Sequence, residues 1–173
     1  DLVPLSPAEP EQKASHIEFR DVNFSYTGIG KNIDSLSFKL GHGQTLGILG
    51  PTGSGKTTII QLLSRLYDVK SGEILVDGIS LAADPIACKA KMAYIPDNPD
   101  LPEYLTGIQF LNFIADVYGL SESVRTEKIG KYAGLFEITE ALGDLISSYS
   151  HGMKQKLAVI SALIHQPKLL IMD

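Results

Sequence analysis

Three observations on the 173-residue sequence predict an α/β fold with a parallel core sheet, an N-terminal antiparallel β part and a helical insert. A glycine-rich turn at 50–57 sits between the apolar run 45–49 and a stretch whose apolar residues recur at three-and-four spacing. The residues before that turn alternate with the period of strands, and those from 99 to 149 have helical spacing with no convincing strand. The organisation expected is a linker at 1–15, an antiparallel β part joined to the first section of the core at 16–97, a helical part at 98–149, and the end of the core at 150–173.

In chain order, residues 1–15 carry Pro4, Pro7 and Pro10 among polar residues and no periodicity that could bury a face, which makes them a linker. Ile17, Phe19, Val22, Phe24 and Tyr26 alternate with one break at Arg20-Asp21, as in a strand with a bulge. Leu36, Phe38 and Leu40 alternate likewise, and Gly41-His42-Gly43 turns the chain into a third strand at 45–49. Ile59, Ile60, Leu62, Leu63, Leu66 and Tyr67 form one helical stripe, closed by Lys70-Ser71-Gly72.

A strand at 73–76 ends in the tight-turn dipeptide Asp77-Gly78. A short helix at 85–90 and a buried strand at 92–95 follow, stopped by Pro96-Asp97-Asn98-Pro99. The stretch 106–118 reads as a helix apolar on more than one face, and burial is the expectation for it. A helix capped by Ser121 carries Val124, Ile129, Tyr132, Leu135 and Phe136. Ser150 opens the last helix, with Met153, Leu157, Ile160 and Ile164 on its stripe; Pro167 ends it, and 168–173 reads as a buried strand.

Gly50-Pro51-Thr52-Gly53-Ser54-Gly55-Lys56-Thr57 is a phosphate cradle. A triphosphate needs many short N–H contacts at once, and backbone without Cβ atoms wraps closely enough to supply them. Lys56 places a cation on the β and γ oxygens and Thr57 offers a hydroxyl to Mg²⁺. The helix that starts there aims unpaired N–H groups and a positive dipole end at the anion, with Thr58 completing the set.

Two further positions are open on residue pattern alone. Asp173 ends an apolar strand, where an Asp taken alone is often a turn residue, but beside the loop 50–57 it suits a Mg²⁺ carboxylate. Tyr149-Ser150-His151-Gly152 precedes a helix, so Ser150 and Gly152 form either a second anion site or a serine cap. The formal net charge is −5 and no block of Lys or Arg stands out, which argues against nucleic acid and anionic membrane as primary partners. The single cysteine, Cys88, cannot form an internal disulfide, which points to a reducing cytoplasmic setting. The longest apolar run, 157–164, is too short to cross a bilayer.

The order of Tyr26, GPTGSGKT at 50–57, YIPD at 94–97, YSHGMKQK at 149–156 and KLLIMD at 168–173 resembles the nucleotide-binding domain of ABC transporters, from about His16 onward. The resemblance implies a P-loop NTPase core of the RecA-like kind, ATP and Mg²⁺ as ligands, and head-to-tail pairing with a second such domain. It also implies a transmembrane subunit or domain as partner, and so a cytoplasmic place at the inner face of the cell membrane. By that likeness Tyr26 stacks on adenine, Ser150 and Gly152 meet the γ-phosphate held by the partner domain, and Asp173 helps Thr57 hold Mg²⁺.

The family's glutamine after the fourth core strand is Asp97 here, a shorter and charged candidate ligand for Mg²⁺. His151 and Met153 replace the commoner signature residues. The glutamate that the family places after Asp173 as general base is not among the 173 residues, so the expectation is Mg·ATP binding with little turnover. The first half resembles exporters with fused membrane domains and the second half stand-alone bacterial cassettes, which a join between Gly78 and Met92 and ordinary divergence of one lineage explain equally. Two other readings are a non-transport ATP clamp and an inert fragment or chimera of the cassette. Against the clamp, the sequence has neither a long heptad insert nor a second cassette with a basic linker.

Overall fold

A computed structural model of the chain describes residues 15–28 and 30–172. The expected linker, except for Ser15, and Asp173 lie outside the described residues. The chain divides into two compact units, one ending at Pro85 and the other beginning at Ile86.

The first unit is built on an antiparallel sheet. Strand β1 (Ile17–Phe24) lies between β2 (Ile33–Leu40) and β3 (Ser71–Val76), and β3 pairs with the short β4 (Ile79–Ser80), giving the order β2-β1-β3-β4. The alternation read from the sequence sets the register: Ile17, Phe19, Val22 and Phe24 are buried, and Phe19 stacks on Phe38 with ring centroids 4.5 Å apart.

The expected break at Arg20-Asp21 is a bulge, since pairing slips against both neighbours there and Asp21 has φ 47°. Gly72 faces it at φ +85°, where a Cβ would overlap the carbonyls of Arg20 and Asp21. Asp77 (φ 50°) and Gly78 (φ 75°) form the two-residue turn of the β3–β4 hairpin.

Helix α1 (Lys56–Leu63) follows the glycine-rich turn. It is shorter than its apolar stripe suggests. Arg65 takes the left-handed conformation (φ 50°), Leu66 N–H donates to the Gln61 carbonyl (2.8 Å) and Arg65 N–H to the Leu62 carbonyl (3.0 Å), a paired closure that ends the helix before Leu66. Leu66 is therefore exposed, while Leu62 and Leu63 are buried.

The expected strand at 45–49 does not form. Residues 44–50 join neither sheet, and Leu46, Ile48 and Leu49 are exposed, Leu49 at 95%. An apolar run becomes a strand only when a neighbour supplies the other half of the hydrogen-bond ladder, and no described strand pairs with it.

Helix α2 (Pro85–Lys89), all but its first residue in the second unit, leads to β5 (Met92–Ile95), which pairs in parallel with β6 (Leu169–Met172). Strand β6 was expected to be buried on both faces. Instead its exposure alternates, with Met172 70% exposed, because β5 is its one described neighbour.

Between these strands lie α3 (Gly107–Val117), α4 (Glu122–Leu135), two 3₁₀ turns (Glu140–Gly143 and Ile146–Ser148) and α5 (His151–Leu163). Phe110, Leu111, Ala115, Ile129, Ala133, Ile146, Leu157, Ile160 and Ile164 form their shared core.

A full capping box starts α3, with the Thr106 hydroxyl accepting from Gln109 N–H and the Gln109 side chain accepting from Thr106 N–H. Burial of α3 is partial: Phe113 (56%) and Val117 (64%) face outward. Ser121 precedes α4, but its side chain makes no capping bond and lies instead 3.3 Å from the Ser123 hydroxyl. Leu135, placed on the apolar stripe by spacing, is exposed at the helix end.

Candidate functional site

The turn at 50–57 closes on itself. Ser54 N–H donates to the Pro51 carbonyl (3.2 Å), and a Cβ on Gly50 would lie 2.6 Å from Ser54 Oγ. Gly55 caps α1 in the left-handed region at φ +95°, close to the Asn32 carbonyl and the Ile33 side chain, and Ile59 N–H donates back to the Gly55 carbonyl (3.0 Å). Side chains at 50 and 55 would thus collide with the loop or its support, while Gly53 (φ +82°) faces open space.

Lys56 curls over the turn. Its ammonium donates to the carbonyls of Gly50 (2.7 Å) and Pro51 (2.8 Å) and lies 3.5 Å from Ser54 Oγ. These bonds fix the cation above the mouth of the loop. Pro51, Thr52, Gly53, Ser54 and Thr57 are exposed. A cation held over an exposed loop at a helix N-terminus is an anion-binding arrangement on its donor set alone. Mg·ATP fits it: small residues line the turn, the charge is positive, and Thr57 presents a hydroxyl.

Tyr26 borders this region. Its hydroxyl is 3.0 Å from Thr58 Oγ1 and donates to Gln61 Oε1 (2.5 Å), while its ring packs edge-on against Phe24 and Tyr67. Thr58 is buried, so its hydroxyl is satisfied by Tyr26 rather than turned to the loop mouth. Gln61 was not singled out from sequence; its spacing after Lys56 carries no signal for that bond. A separate cleft of about 400 Å³ between the end of α1 and the β3–β4 hairpin contains Arg65, already tied to Asp68 (2.9 Å) and the Leu81 carbonyl (3.2 Å).

In the second unit the signature-like stretch is rigidly held. Tyr149 is buried and its hydroxyl donates to the Ala141 carbonyl (2.5 Å), pressed so closely on Gly107 that a Cβ there would overlap it. Ser150 caps α5, its hydroxyl accepting from Met153 N–H (3.2 Å). Ser150, His151 and Gly152 are exposed, and Gly152 has open space where a Cβ would sit. The capping role leaves the hydroxyl proton of Ser150 available for a ligand.

Asp97 is exposed, and its backbone carbonyl accepts from the Gln155 side chain, a bond that joins the segment after β5 to the signature helix. Lys154 pairs with Glu103 (2.5 Å). Neither bond was legible from spacing, since 58 and 51 residues separate the partners.

The model of a family described as ABC transporter matches residues 33–173. The chain belongs to the ABC transporter family. An uncharacterised ABC transporter ATP-binding protein of Bacillus subtilis, YhcH, is 35% identical over 141 residues, 82% of this chain and 45% of that protein. The ABC-type transporter ATP-binding protein EcsA of the same organism is 31% identical over 92% of this chain and 64% of that protein.

A solved structure of the ATP-binding subunit of an ABC transporter superposes with a TM-score of 0.85 at 30% identity, over 92% of this chain and 66% of that one. The chain therefore spans about half the length of YhcH and two thirds of that solved subunit. The predicted α/β P-loop fold stands, and among the described residues no helix is long and apolar enough to cross a membrane.

Proposed function

We propose that this ABC cassette binds Mg·ATP at the turn 50–57 and, in its parent protein, pairs head to tail with a second cassette to drive a transmembrane partner. The observation that carries the reading is the Lys56 ammonium, pinned by two loop carbonyls over an exposed glycine turn at the head of α1.

Gly50, Pro51, Thr52, Gly53, Ser54, Gly55 and Lys56 would hold the phosphates. Thr57 and Thr58 follow on the first turn of α1, and by the family resemblance Thr57, Asp97 and Asp173 would each offer an oxygen to the metal. Tyr26, held by its hydroxyl, offers the half-exposed side of its ring to the adenine. Mg²⁺ supplies charge neutralisation across the phosphate oxygens.

Ser150 and Gly152 stand at an exposed, capped helix start, suited to receive the γ-phosphate of a nucleotide on a second cassette. Cleavage needs a base positioned to take a proton from water, and no residue described here is assigned that role. Association with a membrane partner would place the cassette at the cytoplasmic face of the membrane.

Sedimentation velocity of the chain with and without Mg·ATP tests the pairing. A nucleotide-dependent dimer that Ser150→Trp abolishes supports it, and a species unchanged by nucleotide contradicts it.

A further inference from the structure

Outside the nucleotide site, three side chains converge at one end of the antiparallel sheet. His16 Nδ1 is 2.7 Å from Asp77 Oδ1, and His42 Nε2 is 3.0 Å from the same oxygen. The two imidazoles lie face to face, with centroids 4.4 Å apart and planes tilted by 30°. One ligand atom from each residue lies within 4.8 Å of the other two.

From these residues we infer a binding site for a borderline divalent transition cation, of which Zn²⁺ is the type, coordinated by His16, His42 and Asp77. Two imidazole nitrogens and a carboxylate oxygen are the donors such ions select, whereas Mg²⁺ prefers oxygen alone. Tetrahedral zinc with bonds of about 2.0–2.1 Å sets its ligand atoms about 3.3 Å apart, so the present 2.7 and 3.0 Å separations need to open by about 0.3–0.6 Å, and the two imidazole nitrogens, within 4.8 Å of one another, need to settle at the same spacing.

The backbone prepares the three positions independently of the side chains. His16 N–H donates to the Leu40 carbonyl (2.7 Å) and Asp77 N–H to the His16 carbonyl (2.8 Å), which locks the start of β1 between the ends of β2 and β3. The turn bearing His42 is closed by Gln44, whose N–H donates to the Gly41 carbonyl (3.3 Å) while its side chain accepts from Gly41 N–H (2.7 Å).

Burial is graded in the way a site with one open position requires. The His16 side chain is 4% exposed, Asp77 13% and His42 51%, so water or an outside ligand can take the fourth position on the His42 side. The bound cation would cross-link the ends of three strands and fix the turn 41–44, from which the chain runs to the phosphate loop.

The test uses the full 173-residue chain, stripped with a chelator and titrated with ZnCl₂ against a chromophoric zinc indicator, together with thermal melts. The site predicts one zinc per chain, and free zinc at a hundred times Kd should raise Tm by about 5–10 °C. MgCl₂ at the same concentration should leave Tm unchanged. His42→Ala, an exposed change that leaves the sheet intact, should weaken binding at least tenfold and remove the shift, and Asp77→Asn should weaken it likewise. His151→Ala should bind as the parent does. Absence of zinc uptake, full retention of it by His42→Ala, or its loss in His151→Ala would each overturn the site.

Discussion

Replacing Gly55 by alanine perturbs the loop at its hinge. The residue sits at φ +95° and ψ 5°, and a Cβ there lies 3.0 Å from Ile33 Cδ1 and 3.3 Å from the Asn32 carbonyl oxygen. Left-handed backbone costs a residue with a Cβ about 1–2 kcal/mol. The close contacts add about 1 kcal/mol, because Asn32 cannot retreat freely. Its N–H is bonded to the Phe24 carbonyl (2.9 Å) and its side chain accepts from Tyr26 N–H (3.0 Å).

The sum, about 2–3 kcal/mol, corresponds to a Tm lower by roughly 4–12 °C for a chain of this size. Gly53→Ala, at φ +82° in open space, carries the backbone cost alone, about 1–2 kcal/mol. Gly152→Ala lies in the first turn of α5 with open space around it and should be neutral or stabilising by up to about 1 kcal/mol. Thermal melts of the three variants should rank Gly55→Ala lowest, then Gly53→Ala, then the parent and Gly152→Ala together. A Gly55→Ala melt equal to the parent's, or a Gly152→Ala melt below Gly53→Ala, would refute the reasoning.

Lys56→Ala removes a cation from an exposed loop, so its Tm should stay within about 2 °C, while the lost charge-assisted contacts, about 1.5–3 kcal/mol, weaken Mg·ATP binding at least tenfold by fluorescent-nucleotide titration. Tyr149→Phe strips the half-buried Ala141 carbonyl of its donor and should cost about 0.5–1.5 kcal/mol in urea unfolding. Arg20 and Lys39 hold the Glu18 carboxyl at about 2, well below its ordinary 4.5. A depressed carboxylate stabilises the fold above its unfolded value and loses that contribution as pH falls from about 4.5 to about 2, so Glu18→Gln should flatten the acid limb of the stability curve across that window. Burial, the largest influence on His165, lowers its imidazole pKa below the usual value, so stability should decline as pH drops below about 6.5, where the unfolded chain takes up the proton first; His165→Gln should remove that slope in urea melts.

The elements legible in the sequence are those whose cause is local. Alternation placed β1 and β2, the Asp77-Gly78 dipeptide placed the hairpin turn, and the glycines with Lys56 placed the loop before α1, because backbone freedom and helix-end chemistry act within a few residues. What escaped depends on partners distant in the chain. The run 45–49 has strand composition but no ladder to join, and β6 is exposed on alternate residues for want of a second neighbour. Ser121 has the residue type of a cap without making the bond, whereas Ser150 makes it. The Tyr26–Gln61 and Gln155–Asp97 bonds, and the meeting of His16 with Asp77 across 61 residues, are tertiary facts with no signature in spacing.

Isothermal titration calorimetry of the chain with Mg·ATP, set against Mg²⁺ with AMP, addresses the nucleotide site directly. A loop that grips the β and γ phosphates predicts saturable binding of one ATP per chain, with AMP at least tenfold weaker. Equal affinity for the two nucleotides, or no heat from folded protein with ATP, would contradict it.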